Sequence, residues 1–269
     1  MSVTRVLIPC GGKGTRMMAL TGGKPKELLE IAGVPVVVRV LEECAESGIE
    51  EALIVISPDK PELVDVLAPL EGRPGMPASI SFAVQREPRG LADAIRHGRG
   101  FAAGQPVAVA LPDNLFAGAD PGLKQVIDTY DATRKNVVAM VEITAEEAAR
   151  RGPTSVYPGR VEGSEYVIAR VPGKGERGST FDTGGARSAF TGVGRYVFTA
   201  DAFEAIDEVD AQLAPGEELD DVPVMQRLLD AGMLIGRRID GLFFDAGIVS
   251  GYEEADAAFE QMQATTETR

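Results

Sequence analysis

The sequence is poor in the side chains that most often act as nucleophiles, bases or metal ligands. Its 269 residues include two cysteines, one histidine and no tryptophan. Cys10 and Cys44 lie 34 positions apart and form no CxxC pair, so neither a disulfide framework nor a zinc site is supported. With His97 as the single histidine, a Ser-His or Cys-His triad is equally unsupported. Any chemistry must therefore depend on Asp, Glu, Lys, Arg and backbone groups.

Two further absences concern partners and location. The formal net charge is -14, and the sequence has no aromatic-rich basic stripe, so nucleic-acid binding is not expected. No apolar run approaches the roughly 18 to 20 residues that a membrane helix needs, and the first residues lack the basic start of a secretory signal. We therefore expect a cytoplasmic protein that binds neither nucleic acid nor membrane.

The charge is unevenly distributed along the chain. Residues 1–26 carry five cations and no carboxylate, although the whole chain has 27 basic and 41 acidic side chains. A cationic, glycine-rich segment at the head of an acidic chain predicts a local anion site. Because the whole molecule would repel an anion, the attraction must be short-range or mediated by a divalent cation.

The spacing of apolar residues predicts an α/β fold. In the first half, Val- and Ile-rich strand patterns alternate with amphipathic helical patterns, which indicates a Rossmann-like, mainly parallel sheet with helices on both faces. Beyond Glu142 the predicted strands are shorter, and the glycine-rich stretch 173–185 is a candidate mobile loop. We expect one domain over 1–269, with a nucleotide-binding half (1–143) and a smaller, β-containing half (144–269). The predicted strands are Arg5–Pro9, Ala52–Ser57, Ile80–Val84, Pro106–Leu111, Val137–Ile143, Thr154–Val161, Tyr166–Val171, Phe190–Phe198, Leu234–Ile239 and Leu242–Phe244, and the predicted helices are Val34–Ser47, Lys60–Leu67, Leu91–Ala102, Pro121–Arg134, Ala200–Val209, Leu219–Ala231 and Tyr252–Gln263.

The strongest local signal is a strand that runs into a glycine-rich loop, Leu7-Ile-Pro-Cys-Gly-Gly-Lys-Gly-Thr-Arg16. A polyphosphate packed against backbone N–H groups needs positions without a Cβ atom, and a guanidinium can hold phosphate oxygens in a fork. The loop is not a P-loop, because no Gly-Lys-Ser/Thr follows, and a dinucleotide fingerprint that starts at Gly12 would have Met17 at its third glycine. The loop therefore predicts a phosphate site of another kind.

Several motifs together resemble the sugar-1-phosphate nucleotidyltransferase family. Gly11-Gly-Lys-Gly-Thr-Arg-Met17, followed by Lys24-Pro-Lys-Glu-Leu-Leu29, is most similar to the signature of bacterial UTP:glucose-1-phosphate uridylyltransferases. The resemblance spans nearly the whole chain in family order and implies the nucleotidyltransferase A-type fold with a C-terminal sugar-binding part. It continues through Gln85-x4-Gly-Leu91, Ala110-Leu-Pro-Asp113, Val193-Gly-Arg-Tyr-Val-Phe198 and Phe244-Asp-Ala-Gly247.

The resemblance implies a role for each matching residue. Phosphoryl chemistry of this kind needs positioning and charge neutralisation rather than a covalent nucleophile, which agrees with the missing His and Cys constellation. The implied catalytic residues are Arg16, on the phosphates and the departing pyrophosphate, and Lys26, between the reacting phosphates. The implied nucleotide-binding residues are Gly11, Gly12, Lys13, Gly14 and Thr15 for the triphosphate, and Gln85 and Gly90 for a uracil or thymine base.

Asp113 and Asp245 match the metal ligands of the family. Asp113 closes the apolar run Val107–Leu111, and ligands of parallel sheets bind at the carboxyl ends of the strands. Asp245 follows a second apolar run and is expected to face Asp113 across the cleft. Two carboxylates together with phosphate oxygens suit Mg²⁺, which we expect as the cofactor.

The sugar-binding motifs depart from the family pattern. The family has a Tyr-Gly pair and a Glu-Lys-Pro run, whereas this chain has Arg151-Gly-Pro-Thr154 and Arg170-Val-Pro-Gly-Lys174. Gly152 matches the glycine, Lys174 matches the lysine only with an alignment shift, and the glutamate is missing; Gly152 and Lys174 are the expected sugar phosphate-binding residues. Loss of a carboxylate that accepts two hydroxyl bonds should weaken glucose recognition by about 1.5 to 3 kcal/mol.

The resemblance implies an enzyme that condenses UTP with glucose 1-phosphate to UDP-glucose and pyrophosphate. Its substrates would be a nucleoside triphosphate and a sugar 1-phosphate, and the enzyme would be a homodimer or homotetramer. One alternative is a thymidylyl- or other nucleotidyltransferase for an unusual sugar or cyclitol 1-phosphate, which the altered sugar motif favours. The other is a non-catalytic regulator that binds a nucleotide sugar.

Overall fold

The fold is built around one ten-stranded mixed sheet. A computed structural model describes residues 2–12, 14, 17–151, 156–171 and 185–267. The strand order across this sheet is β10-β11-β13-β8-β12-β6-β1-β4-β5, with β9 paired to β12. The strands of the described residues are β1 (Arg5–Cys10), β2 (Glu30–Ile31), β3 (Val34–Pro35), β4 (Glu51–Ile56), β5 (Ser79–Val84), β6 (Val107–Ala110), β7 (Asn114–Ala117), β8 (Asn136–Thr144), β9 (Val156–Tyr157), β10 (Gly159–Glu162), β11 (Glu165–Ile168), β12 (Ser188–Phe198), β13 (Leu234–Arg238) and β14 (Leu242–Asp245).

The first half of the chain forms the parallel part of this sheet. β1 pairs in parallel with β4 and β6, and β4 pairs in parallel with β5. β12 then lies antiparallel between β6 and β8. β13 runs parallel to β8, and β11 and β10 continue the sheet in antiparallel fashion. The α/β class with a parallel core is therefore confirmed.

Helices cover both faces of the sheet. They are α1 (Met18–Thr21), α2 (Val36–Glu46), α3 (Glu62–Leu67), α4 (Leu91–Arg96), α5 (Arg99–Ala102), α6 (Gly122–Thr133), α7 (Ala145–Arg151), α8 (Ala200–Asp210), α9 (Asp221–Asp230) and α10 (Val249–Glu267), with short 3-10 turns at Lys26–Leu28 and Ala68–Leu70. Alternate residues of β1 enter different cores, because successive side chains of a strand point to opposite faces. Val6 and Ile8 pack in the cluster that contains Leu41 of α2, and Leu7 packs in the cluster that contains Phe203 of α8.

The prediction of one continuous helix over Leu91–Ala102 is wrong, because the structure has two helices there, α4 and α5, which are separated at Gly98. A Cβ atom at Gly98 would overlap the side chain of Leu7 in β1. Glycine is also a poor helix former. Glycine at this position therefore allows the close approach to the central strand, and its low helix propensity favours a break in the helix here.

The other differences concern boundaries and short elements. We predicted a helix over Val34–Ser47, but α2 begins two residues later, at Val36, because Val34–Pro35 forms strand β3. Residues 145–151, where we predicted no helix, form α7. The predicted strand Thr154–Val161 appears as β9 and β10, with residues 154–155 outside the described residues. The candidate mobile loop 173–185 also lies outside them, apart from its last residue.

A separate two-stranded sheet lies beside the main one. β7 pairs antiparallel with β14, and this register places Asn114 opposite Asp245. Neither the length of β7 nor this pairing follows from the sequence pattern. The pairing brings the segment after β6 against the segment before α10.

Candidate active site

A cavity of about 490 Å³ lies where the parallel strands end. β1 ends at Cys10, β5 ends at Val84 and β6 ends at Ala110, so their carboxyl ends share one edge of the sheet. Six of the residues that the sequence predicts as functional line this cavity: Gly11, Gly12, Lys26, Gln85, Gly90 and Asp113. Thus three separate motifs meet in one place.

Two other large cavities help to delimit the site. One, of about 500 Å³, is lined by Asp120, Gln125 and Arg237 and contains none of the predicted residues. The other, of about 770 Å³, is lined by Asp245 and by the aromatic residues Phe243 and Phe244. Asp245 therefore belongs to a neighbouring cavity rather than to the wall of the first one.

The two predicted metal ligands nevertheless lie close together. Ala246 N–H donates to the backbone carbonyl of Asp113 at 2.8 Å, and Gly247 N–H donates to Asp245 Oδ1 at 3.0 Å. A Cβ atom placed on Gly247 would lie 2.6 Å from Asp113 Oδ2 and 3.0 Å from Asp245 Oδ1. Both carboxylates thus approach one residue that has no side chain, and Gly247 leaves the space between them open.

This arrangement fits a divalent cation that is bound partly by substrate. Among the described residues, no group of three or more His, Cys, Asp and Glu side chains could hold a metal ion. Mg²⁺ commonly uses one or two carboxylates together with substrate phosphates and water. The carboxylates of Asp113 and Asp245, each on the wall of one of two neighbouring cavities, match that requirement.

Lys26, which the sequence predicts to lie between the reacting phosphates, contacts one member of this pair. Its Nζ donates to Asp113 Oδ2, and the two side chains are 15% and 16% exposed. The Lys26 stem also lies against Gly14, whose φ of +61° is in the left-handed region and whose added Cβ would be 3.5 Å from Lys26 Cγ. Lys26 thus contacts one metal-ligand candidate and lies beside the glycine loop.

Gln85 and Gly90 lie together in the lining of the same cavity. Gln85 is 4% exposed, and its Nε2 donates to Asp93 Oδ2 at 2.8 Å and to the backbone carbonyl of Gly90 at 3.2 Å. Gly90 has a φ of +114°, and a Cβ there would overlap the backbone of Leu219. Both residues are therefore held in fixed positions by their surroundings.

Sequence reasoning missed Lys60, a buried lysine beneath the glycine loop. It is 7% exposed, and its Nζ donates to the carbonyls of Cys10 (2.9 Å) and Gly12 (2.6 Å) and to both carboxylate oxygens of Glu27 (2.9 and 3.0 Å). Glu27 is itself 1% exposed and follows Lys26 directly. One ammonium group therefore joins the loop to the turn that carries Lys26. Apart from its charge, nothing in the sequence around Lys60 indicates this contact.

Arg195 is the second residue that the sequence did not reveal as a support of the site. It is fully buried and pairs with both carboxylate oxygens of Glu43, at 3.1 and 2.7 Å. It also donates to the backbone carbonyls of Leu111 and Asn114, which flank Asp113. The guanidinium therefore holds both ends of the segment that carries this carboxylate. The motif around Arg195 was recognised, but its function was not.

Five predicted residues fall outside the described residues. They are Lys13, Thr15 and Arg16 of the loop and Gly152 and Lys174 of the sugar phosphate site. Their roles therefore stay predictions. The part of the chain that is described contains no helix long and apolar enough to cross a membrane.

Cys10 lies beside the glycine loop, but its surroundings do not activate its thiol. Burial, and next the negative charge of Glu27, raise the pKa of its thiol well above the usual value. Burial also raises the pKa of Cys44. A thiol must ionise before it attacks an electrophile, so both cysteines should be unreactive in the folded protein.

We expect neither thiol to react with DTNB in the native protein at pH 8, and both to react once guanidinium unfolds the chain. Raising the pH to 9 accelerates the reaction of an ordinary thiol, but it should leave Cys10 and Cys44 protected, because their pKa values are raised. The absorbance of released thionitrobenzoate measures this. Rapid labelling of Cys10 in the folded protein would contradict the assignment.

Comparison with known proteins identifies the family and agrees with the fold. The family model of the nucleotidyl transferases matches residues 5–262, and the chain belongs to this family. A crystal structure of UDP-glucose pyrophosphorylase in complex with UDP-glucose superimposes with a TM-score of 0.80 and 26% identity, covering 97% of this chain and 99% of that chain. The resemblance that the motifs indicated is thereby confirmed, and so is the fold class.

Named relatives cover nearly the same length. The UTP–glucose-1-phosphate uridylyltransferase of Bacillus subtilis (strain 168) is 29% identical over 269 aligned residues, which cover 93% of this chain and 88% of the relative. That of Staphylococcus epidermidis (strain ATCC 12228) is 26% identical and covers 93% of this chain and 90% of the relative.

Proposed function

We propose that the protein is an enzyme that condenses UTP with glucose 1-phosphate. The products are a nucleoside diphosphate sugar, UDP-glucose, and pyrophosphate. The observation that carries this proposal is the meeting of Gly11, Lys26, Gln85 and Asp113 around one cavity, with Asp245 joining Asp113 at Gly247. These residues include the ones expected to contact the base, the phosphates and the metal. The names of the relatives support UTP and glucose 1-phosphate as the pair of substrates.

In the proposed reaction, an oxygen of the sugar phosphate attacks the α-phosphorus of the triphosphate in line with the departing group. A new P–O bond forms, the bond between the α- and β-phosphates breaks, and pyrophosphate takes the electron pair. No covalent intermediate with the protein is required. The protein must align the two phosphates and neutralise their charge.

The chain's own residues divide this work between them. Lys26 would supply positive charge between the reacting phosphates, and its bond to Asp113 fixes where its ammonium lies. Arg16 would hold the phosphates that depart, and the N–H groups of the glycine loop would face the triphosphate. Asp113 and Asp245 would hold Mg²⁺, which when bound offsets the negative charge of the phosphate oxygens.

The base would lie against Gln85 and Gly90, and the sugar phosphate would be held by Gly152 and Lys174 in the second half of the chain. We also propose that the enzyme is a homodimer or homotetramer. Because nucleoside triphosphates are cytoplasmic metabolites, the proposed reaction belongs in the cytoplasm. Light scattering during size-exclusion chromatography measures the oligomeric state.

The test is pyrophosphate release by the purified protein with Mg²⁺. UTP, dTTP, CTP, ATP and GTP are each paired with glucose, galactose, mannose and N-acetylglucosamine 1-phosphates. We expect the strongest rate with UTP and glucose 1-phosphate. A strong rate with dTTP or with another sugar phosphate would favour the alternative substrates. The missing Glu-Lys-Pro motif is the observation that supports this alternative. If no pair releases pyrophosphate but UDP-glucose stabilises the protein against heat, the protein is a regulator that binds a nucleotide sugar rather than an enzyme.

A further inference from the structure

The amide group of Gln85 has a fixed orientation in this structure. Its Nε2 carries two hydrogens, and the two hydrogen bonds to Asp93 Oδ2 and to the Gly90 carbonyl use both. Rotation of the amide by half a turn would place Gln85 Oε1 against two acceptors, a carboxylate oxygen and a carbonyl oxygen. The flipped orientation loses two hydrogen bonds and gains repulsion, so it is disfavoured.

Asp93 can impose this orientation because it is itself immobilised. It is 3% exposed, and its Oδ1 accepts a 2.6 Å hydrogen bond from Arg96. Arg96 and Arg89 both donate to Asp210, each at 2.6 Å, and Arg89 lies 3.7 Å from Asp93. The hydrogen bonds from Arg96, and next from Arg89, lower the pKa of Asp210. Asp93 thus belongs to a charged network of two arginines and two carboxylates, and one of its oxygens remains for Gln85.

The fixed amide leaves one group, Oε1, directed away from Asp93. A Cβ atom placed on Gly11 would lie 2.6 Å from this oxygen, so a side chain at position 11 would overlap it. Gly11, Gln85 and Gly90 all line the same cavity. At this wall, the Gln85 amide offers a hydrogen-bond acceptor and no donor.

We infer that Asp93 is a positioning residue that sets the base preference of the site, an inference that rests on the proposed function. By holding the Gln85 amide with Oε1 on the side of Gly11, at the cavity wall, it selects a base that presents an N–H donor, such as N3–H of uracil or thymine. A base that presents an acceptor at that position, such as N3 of cytosine, meets Oε1 with like polarity and is rejected.

The test is Asp93→Asn. An asparagine at position 93 can donate as well as accept, so it removes one of the two acceptors that oppose the flipped amide and leaves only the Gly90 carbonyl. The flipped orientation, which offers Nε2 to cytosine, therefore becomes more accessible. We expect the ratio of kcat/KM for UTP to that for CTP, with glucose 1-phosphate, to fall at least about tenfold. A purely structural role for Asp93 would lower both values and leave their ratio unchanged. Asp128→Asn is the matched control, because Asp128 is exposed and pairs with Lys124 on α6; its ratio should equal that of the wild type.

Direct binding separates this inference from the proposed function. Calorimetric titration of UTP and CTP without sugar phosphate reads the base preference whether or not transfer occurs. If the wild type forms no nucleotide sugar but prefers UTP in binding, and Asp93→Asn loses that preference, the proposed function fails and the inference holds. If the wild type transfers and the variant keeps the same ratio within about twofold, the inference is overturned. It is also overturned if the wild type prefers CTP or binds neither nucleotide.

A measurement on the unaltered protein covers the case in which Asp93→Asn does not fold. In protein labelled with ¹⁵N-glutamine, the side-chain NH₂ signals of Gln85 are identified by their loss in Gln85→Met. We expect both hydrogens to exchange with solvent slowly, because both are bonded in a buried setting. Exchange as fast as that of an exposed glutamine amide would overturn the inference.

Discussion

Asp113→Asn is expected to lower kcat for nucleotidyl transfer at least about 100-fold, with little change in melting temperature. Asparagine has nearly the same shape, so the backbone bond from Ala246 to residue 113 can persist. The substitution removes the negative charge that would bind Mg²⁺ and that accepts the Lys26 ammonium. Initial rates measured over a range of Mg²⁺ concentrations test this.

The control for this variant is Asp120→Asn, because Asp120 is an exposed carboxylate in the loop just after β7. It should have wild-type rates. Binding of Mn²⁺ in the presence of UTP, followed by electron paramagnetic resonance, gives a readout that does not require turnover, and it should be weakened in Asp113→Asn only. If Asp113→Asn keeps both the wild-type kcat and the wild-type Mg²⁺ dependence, Asp113 is not a metal ligand.

Lys60→Met is expected to lower the free energy of unfolding by about 3–5 kcal/mol, because it leaves the Glu27 carboxylate buried without its cation. The same change removes the donor that holds the carbonyls of Cys10 and Gly12. Urea denaturation at constant m-value measures the loss. The double variant Lys60→Met/Glu27→Leu should recover part of it, because it removes both charges together.

Lys124→Met is the matched control for this second prediction. Lys124 also pairs with a carboxylate, Asp128, but both side chains are exposed, so the loss should be at most about 1 kcal/mol. If Lys60→Met costs no more than Lys124→Met, the buried pair does not stabilise the loop. If the double variant is less stable than either single variant, the stabilisation does not come from compensation between the two charges.

Three of the predicted site residues that line the cavity lie just beyond strand ends. Gly11, Gln85 and Asp113 each follow an apolar run, and parallel strands bring such positions to one edge. A periodic pattern and a motif are both local signals, so they identify these residues one at a time. The meeting of Asp113 with Asp245 adds the pairing of β7 with β14, which no local pattern encodes.

The residues that the sequence could not reveal act through long-range packing. Lys60 contacts a loop 48 to 50 positions away, and Arg195 contacts Glu43 across 152 positions. Lysine and arginine lie mostly on protein surfaces, so the residue types alone predict that Lys60 and Arg195 are exposed rather than buried. The need for glycine at position 98 has a similar origin, because it depends on the distance to Leu7 rather than on the helical pattern around it.

The junction at Gly247 also bears on how the protein is made. Asp113 and Asp245 are separated by 132 positions, so at a synthesis rate of roughly 5–20 residues per second the second carboxylate leaves the ribosome about 7–26 s after the first. Until then the nascent chain has its glycine loop and Lys26 but only half of the carboxylate pair. A partly synthesised chain is therefore expected to be catalytically silent, and activity begins only when the last strand of the small sheet, β14, has docked on β7.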